Sequence, residues 1–241
     1  LTKEVLLVFE EDRLRCQAID ASHVAMCMYE VAGDALREYA CAAKVTVGVD
    51  LSTFEKALTG ASMKDELTLM SSGNDDSLTL AFGPTESMTR AEIHRISLDQ
   101  ELLEPQAANH RVCLALSPAN YSTYITRLKG WGDDVRILLG DDGLRFKTEG
   151  SAGTLDFDLS NGGTTEIRVS GDSPCADGAS QDIPLCRLRL DLLQHVCRAK
   201  TIATGMCLFM QEDREVCIEI GLTDDMGILR FYVAPMHEDV G

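Results

Sequence analysis

Lysine and arginine are scarce: 22 of them stand against 39 aspartates and glutamates, for a formal net charge of −17 and an isoelectric point near 4.6. Spread over a whole surface, that balance repels phosphate backbones and anionic membranes, so any contact with nucleic acid must be confined to a local basic face. No C-x-x-C pair occurs. The nine cysteines, scattered from Cys16 to Cys217, form neither a zinc pattern nor a disulfide framework, and fit a reducing intracellular compartment. No run of about 18 apolar residues could cross a bilayer, and Leu1-Thr2-Lys3-Glu4 lacks signal-peptide form, so a soluble, unsecreted protein without a membrane partner is expected.

Catalytic signatures are missing as well. There is no G-x-x-x-x-G-K-[ST], H-E-x-x-H or G-x-S-x-G, and no G-x-G-x-x-G after a strand, which argues against an enzyme and against a bound metal or cofactor. Asp20, Ser22 and His23 supply the residue types of a nucleophilic triad. In an extended strand, however, Ser22 and His23 point to opposite faces, so a structural or peptide-contact role is expected for His23. His94, His110, His195 and His237 have no companions at ligand spacing. The pairs Asp75-Asp76, Asp133-Asp134, Asp141-Asp142 and Asp224-Asp225 interrupt alternating apolar stretches and read as solvated turns rather than a carboxylate metal site.

What is present is a folded chain of 241 residues, 45% hydrophobic, long enough for two ordinary domains. Alternation at Leu67-Leu69, Leu78-Leu80, Val135-Leu138, Leu155-Leu159 and Val216-Ile220 implies half-buried antiparallel sheet. Apolar residues at helical spacing mark three short amphipathic helices, at 50–60 (Leu51, Phe54, Leu58), 118–129 (Tyr121, Tyr124, Ile125, Leu128) and 189–199 (Leu192, Leu193, Val196). The order of elements recurs. Arg13-Leu14-Arg15 parallels Gly143-Leu144-Arg145, and the helices at 50–60 and 189–199 are each followed by paired strands. The expected layout is a first domain over 1–96, an aperiodic surface connector over 97–110 and a second domain over 111–241, with an exposed hairpin tip at 170–182.

The closing run Asp224-Asp225-Met226-Gly227-Ile228-Leu229-Arg230-Phe231-Tyr232-Val233-Ala234-Pro235 resembles the last strand of the proliferating cell nuclear antigen (PCNA) family of DNA sliding clamps. Ala18-Ile19-Asp20-Ala21-Ser22-His23-Val24, Gly48-Val49-Asp50-Leu51 with Lys56, Gly132-Asp133 and Asp142-Gly143-Leu144-Arg145-Phe146 are similar to further segments of that family. The chain departs from the pattern in three ways. A first strand and basic helix precede the matching region in the family and are expected here to be deleted, diverged or outside the given sequence; Asp141 stands where many members have a modifiable lysine; and the connector carries Glu104 where a small residue is usual, with Pro105 one place early.

The resemblance implies an α+β clamp fold: two similar domains of antiparallel sheet, with short helices lining a ring of three subunits in the nucleus. It implies no catalysis and no cofactor. It also implies sequence-independent encirclement of double-stranded DNA, and tethering of a DNA polymerase, the clamp loader and other clients through a short glutamine- and aromatic-containing peptide. A subunit of a heterotrimeric checkpoint clamp is the alternative on the same fold. Lys56, Lys64, Arg127, Lys129, Arg198 and Lys200 are the expected DNA-facing cations, or otherwise solvated partners of helix C-termini. The implied subunit junction joins Arg90, Ile93 and Arg95 to Asp156, Phe157 and Asp158. The implied client groove comprises Ile19, His23, Val24, Met26, Leu102, Leu103, Pro105, Val216, Tyr232, Ala234 and Pro235.

Overall fold

A computed structural model describes residues 2–62, 64–71, 76–98, 102–105, 110–170 and 182–236. The chain divides into an N-terminal unit, residues 2–21 and 28–104, and a C-terminal unit, Ser22–Cys27 and Pro105 onward. The N-terminal unit holds β1 (Glu4–Phe9), β2 (Arg13–Ile19), most of β3 (Ala25–Ala32), β4 (Val45–Asp50), α1 (Leu51–Ala57), β5 (Thr68–Met70), β6 (Ser77–Phe82) and β7 (Thr89–His94). The C-terminal unit holds β8 (Val112–Leu116), α2 (Pro118–Lys129), β9 (Asp134–Gly140), β10 (Gly143–Gly150), β11 (Gly153–Leu159), β12 (Glu166–Val169), β13 (Ile183–Arg189), α3 (Leu190–Val196), β14 (Ala203–Met210), β15 (Val216–Leu222) and β16 (Ile228–Val233).

The sequence repeat is a repeat of topology. Strands run β3-β2-β1-β4 in one unit and β11-β10-β9-β13 in the other, while β5-β6-β7 matches β14-β15-β16. In each unit the fourth strand leads straight into a helix, α1 after β4 and α3 after β13. The C-terminal unit adds β8 and α2 at its start; among the described residues the N-terminal unit has no counterpart to them.

Local chemistry explains the helices. Ser117 caps α2, its hydroxyl accepting from Asn120 N at 3.2 Å, and Pro118 opens the first turn. Tyr121, Ile125 and Leu128 recur on one face and are buried. Asp50 caps α1 by accepting from Thr53 N at 2.8 Å. In α3, Leu190, Leu192, Leu193 and Val196 are all buried, and a 3-10 turn, Cys197–Thr201, continues the helix. Tyr121 Oη donates to Leu193 O at 3.1 Å, satisfying a buried hydroxyl where α2 packs on α3.

Two of the four aspartate pairs occupy turns. Asp141 and Asp142 form the two-residue link between β9 and β10, and Asp224 and Asp225 both have left-handed backbone, φ 56° and 54°. Asp134 departs from that reading, because it opens β9 and is held by Arg187. Asp75, His237, most of 170–182 and parts of the connector lie outside the described residues.

The connector residues that are described contain no helix or strand, yet they are anchored. In the N-terminal unit the register places Gln17 opposite Leu6 and Leu6 opposite Gly48, so these three share one face of the sheet. Arg15 and Val8 form the neighbouring pair on that face. Leu6 and Val8 are buried although the unit's core lies on the other face, among Val5, Leu7, Val47, Val49, Leu78, Leu80 and Ile93. Their cover includes the connector. Ile96 N donates to Gly48 O at 2.9 Å, Leu98 lies where a side chain on Gly48 would go, Leu103 N donates to Gln17 Oε1 at 2.9 Å, and Glu104 pairs with Arg15.

Candidate nucleic-acid and partner interface

Against a total charge of −17, α2 and the 3-10 turn at 197–201 contain Arg127, Lys129, Arg198 and Lys200 and no carboxylate. Arg127 and Lys200 line an open groove of about 710 Å³ together with Ser122, Thr123, Thr126 and Thr201. Hydroxyls and cations on one open face form a surface suited to phosphate oxygens and carry no base-reading geometry. Arg127, Arg198 and Lys200 are exposed and make no ion pair with a described residue, whereas Lys129 is half-buried and bound to Asp133 at 2.5 Å. In the N-terminal unit, Lys56 and Lys64 are exposed, but α1 also carries Glu55 beside Lys56. The basic face is therefore built chiefly from the C-terminal unit.

Both junction segments lie at sheet edges. β7 ends the order β5-β6-β7 and β11 ends the order β11-β10-β9-β13. Arg90 is exposed and Arg95 is half-buried against Ser71, its amide donating to Asp76 O. Asp156 and Asp158 are exposed and face cations on their own neighbour strand, Lys147 at 4.0 Å and Arg145 at 2.8 Å. Phe157 stacks on Phe146 with ring centroids 5.0 Å apart. Ile93 corrects the expectation of side-chain contact: it is 4% exposed and packs in the core of its own unit, because it alternates inward beside Leu78.

The expected groove residues fall into two sets. In the C-terminal unit, Ala234 N donates to Val24 O at 2.8 Å, which ties the turn holding exposed His23 to the segment after β16. Tyr232 stands opposite Cys217 in the register, and burial raises its phenol above the usual range. Ala234 is exposed; Pro235, Val24 and Met26 are half-buried, Val24 against the core. Pro105 is half-buried. Val216 is a correction. It is 0% exposed, inside the core of its unit, and has no surface to offer a peptide. In the N-terminal unit, Leu102 is half-buried, Leu103 is 48% exposed and Ile19 is buried.

A third correction concerns residues 20–24. They form a turn between β2 and β3 rather than an extended strand, with His23 at φ 56° and Asp20 buried. Strand alternation is therefore not what separates Ser22 from His23. Sequence reasoning also missed Arg15 and Gln17, the connector's anchors. Their signal was present as two large polar residues at i and i+2 in a strand, both of which prove to be buried.

Two units of matching sheet order, each with a helix at the same place, and one carboxylate-free basic helical face define a clamp-fold protein. Residues 1–103 match the family model described as "Proliferating cell nuclear antigen, N-terminal domain". Over 231 residues, 95% of this chain and 87% of the relative, the chain is 23% identical to "Proliferating cell nuclear antigen 2" of Drosophila melanogaster. Both comparisons make the chain similar to the PCNA family.

Proposed function

We propose that the chain is one subunit of a homotrimeric DNA sliding clamp, a processivity factor of replication and repair that works in the nucleus without catalysing a reaction. The observation that carries this reading is the basic, carboxylate-free face of α2 and the 197–201 turn in a strongly acidic chain of clamp fold. Nonspecific phosphate contacts have dissociation constants of roughly 10⁻⁴ to 10⁻⁶ M, weak enough to slide, and a closed ring needs no greater affinity to stay on DNA. Beyond about 8 Å the acidic exterior is screened at physiological salt, so the local cations govern what the hole meets.

Closure is assigned to edge pairing between β7 of one copy and β11 of the next, where Arg90 and Arg95 would meet a strand carrying Asp156 and Asp158. Clients are held by the connector leucines and by the surface of Tyr232, Ala234 and Pro235. The test is solution mass combined with loading onto nicked circular DNA by a clamp loader. A trimer that stays on the circle and leaves when it is linearised supports the reading. Retention on linear DNA overturns it, and a chain that forms a ring only with two different partners is a subunit of a heterotrimeric clamp.

A further inference from the structure

We infer that Arg15 and Gln17 form a latch that seats the connector, with Glu104 as its releasable half, and that this latch positions Leu103 for client capture; the second part rests on the function proposed above. Arg15 and Gln17 alternate onto the same face of β2 and are 8% and 0% exposed. Gln17 Oε1 accepts from Leu103 N at 2.9 Å, so the backbone of Leu103 is fixed while the residue stays 48% exposed. One residue on, Glu104 Oε1 accepts from Arg15 Nη1 at 2.9 Å. A fixed backbone with an outward apolar side chain is pre-organised for a partner, which reduces the ordering cost of binding.

The latch is polar, so it can open without disturbing the apolar core on the opposite face of the sheet. Its two halves differ in how firmly they are held. Arg15 has a second carboxylate, Glu10, at 2.6 Å, and Glu10 is shared with Lys44 at 3.1 Å. Removing Glu104 therefore leaves the buried guanidinium paired and the sheet intact. The Glu104 side chain is itself 73% exposed, as suits the movable half of a clasp. Arg15 Nε has no hydrogen-bond partner among the described residues, so the guanidinium is held through its two Nη atoms alone.

The experiment compares the full-length wild-type chain with Glu104→Ala and Glu104→Gln. Amide hydrogen exchange is read at Leu103, and affinity is read by calorimetry with a synthetic peptide carrying a glutamine and a hydrophobic-aromatic plug. In Glu104→Ala, exchange at Leu103 should rise and peptide affinity should fall on the order of fivefold, the range of a solvent-exposed ion pair, with the melting temperature unchanged. Glu104→Gln, which keeps an acceptor, should lie between. Unchanged exchange at Leu103 in Glu104→Ala overturns the latch, and faster exchange with undiminished affinity overturns its positioning role. If the wild-type chain binds no such peptide, the client reading itself fails; the exchange data then decide the latch alone.

Discussion

Arg187 grips Asp134 with two parallel hydrogen bonds, Nε to Oδ1 and Nη2 to Oδ2, each 2.8 Å long. Arg187 stands opposite Arg136, and Arg136 opposite Lys147, so Asp134 offsets the leading end of a row of cations crossing β13, β9 and β10. The side-chain hydrogen bonds from Arg187 hold the Asp134 carboxyl below the usual carboxylate range. Asp134→Asn should therefore destabilise the protein by roughly 1–2 kcal/mol at neutral pH, as measured by urea unfolding. A depressed folded-state pKa means that this stability is present above the unfolded carboxylate value, about 3.9, and is lost as pH falls through the lower folded value. The variant should lose that part of the acid dependence. An acid limb identical to the wild type would show that the pair contributes nothing.

Gly48 is the second point of test. A Cβ there would lie 2.3 Å from Ile96 O and 2.9 Å from Leu98 Cγ, so Gly48→Ala has to push the start of the connector off the sheet. The expected outcome is a loss of roughly 1–3 kcal/mol, together with faster amide exchange at Ile96, whose N–H is bonded to Gly48 O. Wild-type stability and exchange would mean that the approach of Ile96 and Leu98 to β4 is not close in solution.

These two sites mark what could be read in the sequence and what could not. Period alone located all three helices, α2 at its observed ends, because apolar spacing and capping residues are local properties. The repeat was legible because both units reuse one order of elements. The connector's anchoring was not, since it depends on which residues of β2, β1 and β4 stand side by side, and register is set across strands rather than along them. Val216 and Ile93 were misassigned for a different reason. Each is an apolar residue in a segment that the family resemblance singles out, and the resemblance was followed although local alternation, Val216 with Ile218 and Ile220 and Ile93 between Glu92 and His94, already marked an inward side chain.

The proposed junction predicts a charge dependence. Arg95→Asp should weaken self-association, and adding Asp156→Arg should restore part of the loss if the two charges meet across copies, as read by light scattering over a dilution series. Asp156 lies 4.0 Å from Lys147, so its single variant also tests whether the carboxylate serves its own strand pair instead. An unaltered assembly in both single variants would remove this pairing.

On the basic face, replacing Arg127, Arg198 and Lys200 by Ala should weaken binding to short duplex DNA. It should also lower the slope of log affinity against log salt, by about 0.9 for each phosphate that is no longer neutralised. Lys129 should matter less than these three, because Asp133 already holds it at 2.5 Å. A triple variant with the wild-type salt slope would place the DNA-binding cations elsewhere.

The last prediction concerns client capture, on which the cellular role would turn. Tyr232 presents a half-buried ring opposite Cys217, and Ala234, whose amide is bonded to Val24 O, follows it on the surface. Leu103 is half exposed on a backbone fixed by Gln17. Aromatic and aliphatic anchors of this kind dominate peptide recognition, and truncating a central one costs roughly 2 kcal/mol or more, about thirtyfold in affinity. Tyr232→Ala should therefore reduce capture of the glutamine- and aromatic-containing peptide by at least that factor, and Leu102→Ala with Leu103→Ala by a comparable one. Val216 lies in the core, so Val216→Ala should lower stability by roughly 1–3 kcal/mol and change peptide affinity little at temperatures where the chain stays folded. Self-association and retention on circular DNA should survive the Tyr232 and leucine substitutions. Calorimetry separates the cases: full peptide affinity in both the Tyr232 and the double-leucine variants would show that clients, if the chain has any, are held by another surface.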